Sequence, residues 1–578
     1  MIRSRAATVL VIGTGAAGMR AAIAAHDAGG DVIIAGKRAA LDPHTVLASG
    51  GINAALGTRD PEDSWQQHAA DTLREGYWLG DAEVVKIVCQ DAARAIAELS
   101  DWGCQLARTA EGALDQRFFG AHRWRRTCFA GDYTGRAIVQ TLSREVERRG
   151  IPIVENTYVS KLLVADGTCF GALGFRLQDG ERIAFMANAV VLCGGGHSRL
   201  WRRSSSRRDE NFGEGMFLAV EAGCTVRDME LVQFHPTGMV APEEMAGTLV
   251  TEAVRGEGGR LFNADGERFM ERYDPQRLEL STRDRIALAN YTEIQEGRGG
   301  PKGGVFLDVT HLSKEQILER LPRMHRQFIE HQMLDISTTP MEVAPTAHYT
   351  MGGIVVDPET HATDVGGLFA AGECTGGLHG ANRLGGNSLT ETVVYGRRAG
   401  EAAVAFGFAG DVSMRPGAVI RTAAEELDAL VRPGSELGRQ LQRNLRDLLW
   451  EHCGVVRDRD GLDEGLARLA DLRTAIPDVD VRFSAEGWAD LAHVLDLRAG
   501  TVLAEATLRA ALARRETRGC HNRRDHPDLD SAFLTSFRAR LVDDALTLWD
   551  EPVPPPPGEL QPWVDEATDF DWSDRLLE

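Results

Sequence analysis

The feature that most constrains the fold is a glycine-rich turn near the N-terminus. Residues 8–13 read TVLVIG, a short apolar run, and they lead into Gly13-Thr14-Gly15-Ala16-Ala17-Gly18 and an alanine-rich segment of helical character. A second apolar run, DVIIAG at 31–36, completes a strand–helix–strand unit. In such a unit the first glycine permits the tight turn, the second lets the backbone approach a pyrophosphate, and the third permits close helix–strand packing. The sequence therefore predicts a doubly wound sheet that binds a dinucleotide.

The turn does not decide which dinucleotide is bound. An acidic residue about twenty positions further on would bind a ribose hydroxyl in the common form of the motif. Here Gly36 and Lys37 occupy the end of the second strand instead. FAD and NAD both remain open from this motif alone.

Strand-like segments with a glycine-rich end recur far along the chain. AVVLCGGG occupies 189–196 and GGLFAAGE occupies 366–373. If both join the first sheet, the dinucleotide-binding domain is discontinuous. From about residue 417 the pattern becomes helical, with leucines at 441, 445, 448 and 449. We therefore predict the α/β class, with a Rossmann-type domain in two parts (1–235 and 350–430), an inserted α+β capping domain (236–349), a C-terminal helical domain (431–545) and an extended acidic, proline-rich tail (546–578).

Charge and cysteine usage exclude several classes of function. The net charge is -21, whereas proteins that bind nucleic acid normally present a basic face. The nine cysteines include no CxxC pair and no other metal-ligand spacing, so we expect no metal site and no iron–sulfur cluster in this chain. No apolar run reaches membrane length, and the N-terminal residues leave no room for a signal peptide.

Several further segments carry chemically capable residues, each of which has an ordinary structural interpretation when taken alone. A histidine beside proline is usually structural, and a Glu/Arg pair is usually a solvated ion pair. The segments are DPHTVLASGGINAALG at 42–57, QFHPTG at 233–238, TEAVRGEGG at 251–259, STRDRIALA at 281–289, PTAHYTMGGI at 345–354, GECTGGLHGANRLGGNSL at 372–389 and RRETRGCHNRRDHP at 514–527. Together they resemble the flavoprotein subunit of succinate dehydrogenases and fumarate reductases, the complex II family, over nearly the whole chain.

The resemblance implies an FAD cofactor bonded covalently to His44. It places the other cofactor contacts at Gly13, Gly15, Ala16, Ala17, Gly18, Lys37, Thr45, Gly50, Gly51, Gly195, Glu214, Glu373, Asn387, Ser388 and Leu389. It places the substrate contacts at Gly51, Phe119, His235, Thr251, His348 and Arg383. Arg283 is the implied proton-transferring residue, with Glu252 and Arg255 as its proton relay.

The implied reaction is oxidation of succinate to fumarate. Arg383 would grip one carboxylate bidentately, while the histidines and Thr251 supply further donors. Electrons would then leave through a separate iron–sulfur subunit, followed by membrane anchor subunits. These partners would hold the chain at the cytoplasmic face of the cell membrane, with no nucleic acid involved.

Two departures from the family pattern keep alternatives open. Ser49 stands where Gln or Glu is usual, which leaves the preferred direction undecided between succinate oxidation and quinol-dependent fumarate reduction. Glu214 stands where Asp is usual. L-Aspartate oxidase is a related alternative, but it lacks the flavin-linking histidine, so His44 weighs against it. A non-catalytic flavin-binding scaffold is a further alternative, and the presence of Arg283 and the histidines weighs against that.

Overall fold

The computed structural model describes residues 2–410 and 415–569. Within these ranges the strands, numbered in chain order, are β1 (Ile2–Ile12), β2 (Val32–Ala35), β3 (Ile52–Asn53), β4 (Gln116–Arg117), β5 (Thr127–Cys128), β6 (Ile153–Val154), β7 (Thr157–Ala165), β8 (Thr168–Arg176), β9 (Arg182–Leu192), β10 (Val226–Arg227), β11 (Val232–Met239), β12 (Arg260–Phe262), β13 (Val305–Asp308), β14 (Met341–Thr350), β15 (Gly353–Ile354), β16 (Leu368–Ala370), β17 (Val456–Arg457), β18 (Asn522–Arg523), β19 (Thr535–Val542) and β20 (Ala545–Pro552).

The helices of the same ranges are α1 (Ala16–Asp27), α2 (Trp65–Glu75), α3 (Ala82–Asp101), α4 (Thr134–Arg148), α5 (Glu214–Glu221), α6 (Ala253–Gly256), α7 (Met270–Tyr273), α8 (Arg283–Glu293), α9 (Lys314–Arg320), α10 (Pro322–Gln332), α11 (Asn387–Ala409), α12 (Gly417–Ala429), α13 (Gly438–His452), α14 (Arg459–Ala475), α15 (Ala489–Ala513) and α16 (Gln561–Asp569). Short 3-10 turns lie at His44–Leu47, Ser198–Leu200, Glu243–Met245, Leu278–Leu280, Ile476–Asp478 and Ser531–Phe533, and a π turn lies at Ile294–Arg298.

A mixed sheet forms the centre of the fold. Its strands follow the order β6-β2-β1-β9-β8-β7, and β16 also pairs with β9. The pairs β1–β2, β1–β9, β2–β6 and β9–β16 are parallel, whereas β7, β8 and β9 form an antiparallel meander. Residues at the end of β1 alternate between two apolar cores, because Val9 and Val11 face one side of the sheet and Leu10 and Ile12 face the other. The predicted strand–helix–strand unit is confirmed.

The two distant strand segments join this same sheet. Leu368 pairs with Val190 and Ala370 with Leu192, so a strand almost two hundred residues downstream lies next to β9. The sheet is therefore assembled from separate parts of the chain, as the sequence predicted. The exact domain limits remain predictions.

Residues 236–349, the capping segment, contain a second sheet in the order β11-β14-β13-β12, with an apolar core of its own. All three pairs in this sheet are antiparallel. The strands β11 and β14 cross the two limits of the segment and pair with each other, with His235 opposite Thr346. This pairing brings two motifs that lie more than a hundred residues apart to one place.

The C-terminal part is helical at first, and α13 confirms the leucine pattern, since Leu441, Leu445, Leu448 and Leu449 are all buried. The predicted extended tail from residue 546 is wrong for its described part. Residues 545–552 form β20, paired along its whole length with β19, and α16 packs against α2.

The physical reason is apolar burial on both elements. Leu546 on β20 and Leu560 and Val564 at α16 are buried, so the proline run between them only connects two packed elements. Residues 570–578 lie outside the described residues. No helix within the described ranges is long and apolar enough to cross a membrane. The same ranges hold no group of three or more His, Cys, Asp and Glu side chains placed to bind a metal ion.

Candidate active site

A long cleft runs from the glycine turn after β1 to the capping segment. Most residues singled out in the sequence line it, namely Gly13, Gly15, Ala16, Ala17, Lys37, His44, Thr45, Gly50, Gly51, Phe119, Gly195, Glu214, His235, Thr251, Glu252, Arg283, His348, Glu373, Arg383, Ser388 and Leu389. Gly18, Arg255 and Asn387 are buried behind the wall. The structure therefore brings the dinucleotide motif and the dicarboxylate motifs to opposite ends of one cleft.

The glycine turn has the geometry that a bound pyrophosphate requires. Gly13 has a φ of +122°, and a Cβ added there would lie 2.2 Å from the carbonyl oxygen of Cys193. A Cβ at Gly18 would lie 2.0 Å from the carbonyl oxygen of Gly13, so this glycine serves the packing of α1 on β1. The helix begins at Ala16 directly after Gly15, and its free N-terminal amides favour an anion. The residues present therefore fit a dinucleotide.

Asn387 does not contact the cleft as predicted. Its side chain is fully buried, with Oδ1 accepting a hydrogen bond from Asn53 at 2.7 Å and lying 2.8 Å from Nε2 of His68. Its Nδ2 donates to Thr72 at 2.9 Å. Because every polar atom of the amide already has a protein partner, Asn387 supports the wall from behind.

Lys37 replaces the missing ribose acid with a buried cation. Its ammonium group forms an ion pair with Glu214 and lies 3.9 Å from Asp496 on α15. Burial alone would lower the pKa of Lys37, but the charges of Asp496 and Glu214 outweigh burial and raise it. Asp496 lies far from every motif in the sequence, so sequence reasoning did not identify it.

His44 begins a 3-10 turn and is held by an acidic partner. Its Nδ1 lies 2.7 Å from Oε1 of Glu210, which Arg207 also contacts at 3.1 Å. Burial would lower the pKa of His44, but the charge of Glu210 outweighs it and raises the pKa. The ring is therefore fixed through Nδ1, which leaves Nε2 as the nitrogen for any other bond. Glu210 is a further residue that sequence reasoning missed.

Two arginines meet at the opposite end of the cleft through a shared glutamine. Oε1 of Gln233 accepts from Nη1 of Arg283 at 3.2 Å and from Nη2 of Arg383 at 3.0 Å. The guanidinium of Arg383 also lies 4.5 Å from the ring centre of Tyr349, and burial lowers its pKa to about 10. Gln233 stands inside the QFHPTG motif, in which only the histidine was predicted to act.

A carboxylate joins Arg283 to a second buried arginine. Glu252 Oε2 lies 2.9 Å from Nε and 2.8 Å from Nη2 of Arg283, and 3.9 Å from Nη2 of Arg255. Burial would raise the pKa of Glu252, but the charges of Arg283 and Arg255 outweigh burial and hold it at about 2. Arg255 donates from Nη1 to the carbonyl of Glu279 at 2.7 Å. The order Arg255, Glu252, Arg283 is thus a continuous chain of ionic groups that ends at the cleft.

The two histidines stand on the paired strands β11 and β14. Their rings lie 5.4 Å apart at an angle of 71°. Burial, with the charge of Arg283 beside His235 and that of Arg383 beside His348, lowers the pKa of each ring well below its ordinary value. Both rings are therefore neutral at pH 7. Nδ1 of His348 lies 2.8 Å from Oγ of Ser205, a partner that the sequence did not indicate.

Phe119 closes one side of this end of the cleft. The guanidinium of Arg283 lies 5.6 Å from its ring centre. A Cβ at Gly50 would lie 2.8 Å from the ring and one at Gly385 would lie 2.3 Å from it, so both glycines allow the ring to pack on the backbone. Thr251 is 7% exposed at the same end. The arginines, histidines, threonine and phenyl ring thus enclose a space suited to a small, doubly charged acid.

Comparison with known proteins gives the same result along the whole chain. Residues 8–389 match the family model described as FAD binding domain, and residues 442–554 match the one described as fumarate reductase flavoprotein C-term. A fumarate reductase (CoM/CoB) subunit of Methanothermobacter marburgensis is 43% identical over 90% of this chain and 94% of its own length. The succinate dehydrogenase flavoprotein subunit of Rickettsia conorii is 36% identical over 93% of each chain.

The fold agrees with a solved structure of the same kind. The flavoprotein of E. coli quinol fumarate reductase superimposes with a TM-score of 0.91 at 33% identity, covering 97% of this chain and 99% of the other. The match is therefore full-length in sequence and in structure. This chain belongs to the succinate dehydrogenase and fumarate reductase flavoprotein family, whose members are FAD-dependent oxidoreductases.

Proposed function

We propose that this protein is the flavoprotein subunit of a succinate:quinone oxidoreductase that oxidises succinate to fumarate. The observation that carries the proposal is the meeting of Arg283 and Arg383 on one glutamine oxygen, at 3.2 Å and 3.0 Å, at the same end of the cleft as two neutral histidines. Two fixed cations match the two carboxylates of a four-carbon acid. Neutral imidazoles and the hydroxyl of Thr251 can donate further hydrogen bonds without adding charge.

Orientation by these groups would lower the barrier to removing a proton from the carbon next to a carboxylate. Arg383 would hold one carboxylate bidentately, since a planar guanidinium matches a carboxylate in shape. Holding both ends of the acid fixes the carbon to be deprotonated against Arg283, and such positioning supplies a large part of many enzymes' rates.

The proton would leave through Arg283, Glu252 and Arg255. An isolated arginine does not lose its proton in water, so this role needs an ionised neighbour at hydrogen-bond distance and shielding from solvent. Glu252 meets the first need at 2.8 Å, and Arg255, whose side chain is 1% exposed, continues the relay into the protein. Each proton transfer then runs between neighbouring groups of one ionic chain.

The cofactor would be FAD linked through His44, which supplies the acceptor for the hydride removed from the acid. Glu210 holds Nδ1 of this histidine at 2.7 Å, which supports Nε2 as the linking atom. We further propose that electrons pass to an iron–sulfur subunit, and that membrane anchor subunits hold the assembly at the cytoplasmic face of the membrane. The relatives named as subunits support a multi-subunit assembly.

Fumarate reduction is the second candidate function. It is favoured by the relative of Methanothermobacter marburgensis, which is named as part of a fumarate reductase (CoM/CoB) and is 43% identical, and by Ser49 in place of the usual Gln or Glu. The same residues serve both directions, because a catalyst of one direction catalyses the reverse along the same path.

Unfolding the purified protein in acid tests the covalent link. We expect flavin fluorescence to remain on the polypeptide, and His44→Ser to release the flavin. His44→Ser should also abolish succinate oxidation while sparing some fumarate reduction. His26→Ser changes a partly exposed histidine on α1 and is the matched control. A His44→Ser protein that still oxidised succinate normally would disprove the proposed role of His44, and absence of turnover with both succinate and fumarate would disprove the function itself.

A further inference from the structure

Arg323 reaches from the capping segment to the wall of the cleft beside Ser49. It is the second residue of α10, and its Nη1 donates to Oγ of Ser49 at 2.8 Å and to the carbonyl of Asp132 at 3.3 Å. Both acceptors belong to the part of the chain that precedes the capping segment. Arg323 itself lines the cleft, so its charge stands at the cleft and not on the outer surface.

A second guanidinium approaches the same place from the other side. Arg117 donates from Nη2 to the carbonyl of Gly50 and, at 3.4 Å, to the carbonyl of Ser49. Its guanidinium also lies 4.5 Å from the ring centre of Phe129. Ser49 is therefore held between two arginines that come from different segments of the chain.

The described hydrogen bonds of both guanidiniums go to neutral oxygens, which are backbone carbonyls and one hydroxyl. Burial lowers the pKa of Arg323 and of Arg117, but an arginine starts so high that both remain charged. The backbone at Ser49 thus carries concentrated positive charge. A longer acidic side chain at this position would have cancelled part of that charge, and serine does not.

This charge lies next to the residues proposed to contact the flavin. Ser49 directly precedes Gly50 and Gly51, and it is four residues from Thr45, whose Oγ1 accepts from the amide of Ala16 at 3.3 Å. A fixed cation stabilises negative charge that arrives nearby, and does so more strongly in a cleft with little water than in solution. A flavin at this wall would therefore accept electrons more readily than it would without Arg323.

We propose that Arg323 is a specificity-determining residue, which through Ser49 places a positive charge beside the flavin and favours succinate oxidation over fumarate reduction. The inference rests on the proposed function, because it assigns a direction to the same site. It acts on the cofactor's readiness to accept electrons and not on the grip of the dicarboxylate. It also gives Ser49 a role, since a short hydroxyl side chain leaves room for the guanidinium and accepts its hydrogen bond.

The test compares Arg323→Gln and Arg323→Lys with Arg326→Gln in the FAD-loaded protein. Arg326 lies one turn further along α10, is exposed, and donates to the hydroxyl of Tyr133 at 3.2 Å, so it is matched in charge and helix but does not contact Ser49. The flavin reduction potential is measured against a reference dye, and the rates of succinate oxidation and fumarate reduction are measured separately. Hydrogen exchange over residues 322–332 reports on the capping segment.

We expect Arg323→Gln to lower the potential and to shift the ratio of oxidation to reduction about tenfold toward reduction, as loss of a nearby charge implies. Arg323→Lys should restore most of the change, and Arg326→Gln should cause none. Ser49→Ala, which removes only the hydroxyl, should give a smaller shift in the same direction and serves if Arg323→Gln does not fold.

An unchanged potential in Arg323→Gln would overturn the proposal. So would faster hydrogen exchange in α10 without a change in potential, since Arg323 would then be only a structural tie between segments. An equal shift in Arg326→Gln would overturn it as well. If the wild-type protein turned over neither dicarboxylate, the proposed function would fail, whereas the potential measurements would still report the effect of Arg323 on the flavin.

Discussion

Glu252 holds the guanidinium of Arg283 by two short contacts, and its replacement by glutamine tests the proton relay directly. The carboxylate Oε2 lies 2.9 Å from Nε and 2.8 Å from Nη2 of that arginine. Glutamine keeps the size of the side chain and one hydrogen bond but removes the charge and the ability to accept a proton. Substrate contacts at Arg383 and the two histidines are untouched by this change.

The pKa of Glu252 gives the size of the effect. The difference between its ordinary value of 4.5 and about 2 corresponds to about 3 kcal/mol of favourable interaction between the carboxylate and its cationic neighbours. The sign follows from the lowered pKa, so this interaction is fully present at neutral pH and is lost only as the pH falls through about 2. If the transition state uses all of it, the rate falls by about 10²-fold, at the low end of general acid–base effects.

The assay is steady-state kinetics with succinate and an artificial electron acceptor, and with fumarate and a reduced dye. We expect kcat to fall by about 10²-fold in both directions, with KM changed only slightly. Glu257→Gln is the control, because Glu257 lies on the same segment and pairs with Arg320 at 2.8 Å near the surface. A kcat within twofold of wild type, or a large rise in KM at unchanged kcat, would refute the relay through Glu252.

Two further predictions concern neighbours of this site. Burial and the nearby charge of Asp284 raise the pKa of Glu75 to about 8, so the folded protein keeps a proton that the unfolded chain loses from about pH 4.5, and stability falls as pH rises between these values. Glu75→Gln should therefore flatten the fall in Tm between about pH 5 and about pH 8, and an unchanged slope would contradict the assignment. Gln233→Leu removes the shared acceptor of Arg283 and Arg383, so the Kd of succinate, followed by flavin absorbance, should rise about tenfold. An unchanged Kd would show that the arginines align without it.

Local sequence patterns predicted the parts of the fold that depend on neighbouring residues. The turn from Gly13 to Gly18 needs only its own φ angles and close backbone contacts, and the strand and helix around it follow from hydrophobic period. The leucine spacing of α13 is of the same kind. The tail from residue 546 failed because its proline run is visible in sequence, whereas its burial against β19 and α2 is not.

The site divides in the same way. Motif residues such as His44, Arg283 and Arg383 could be named from their segments, and the structure places them along one cleft. The residues that hold them could not, because each lies far away in sequence and belongs to no motif of its own. Glu210 lies 166 residues from His44, and Arg323 lies 274 residues from Ser49.

The sequence by itself therefore determined the dinucleotide turn, the family and the chemical character of the cleft, because those depend on residue types at short spacing. Only the tertiary structure decided which partner holds each functional group, that Asn387 stands behind the wall, and that two arginines converge on Ser49. The physical reason is that charge and hydrogen-bond partners are chosen by three-dimensional packing, in which the pairing of β11 with β14 and the approach of α10 to the cleft bring distant segments into contact.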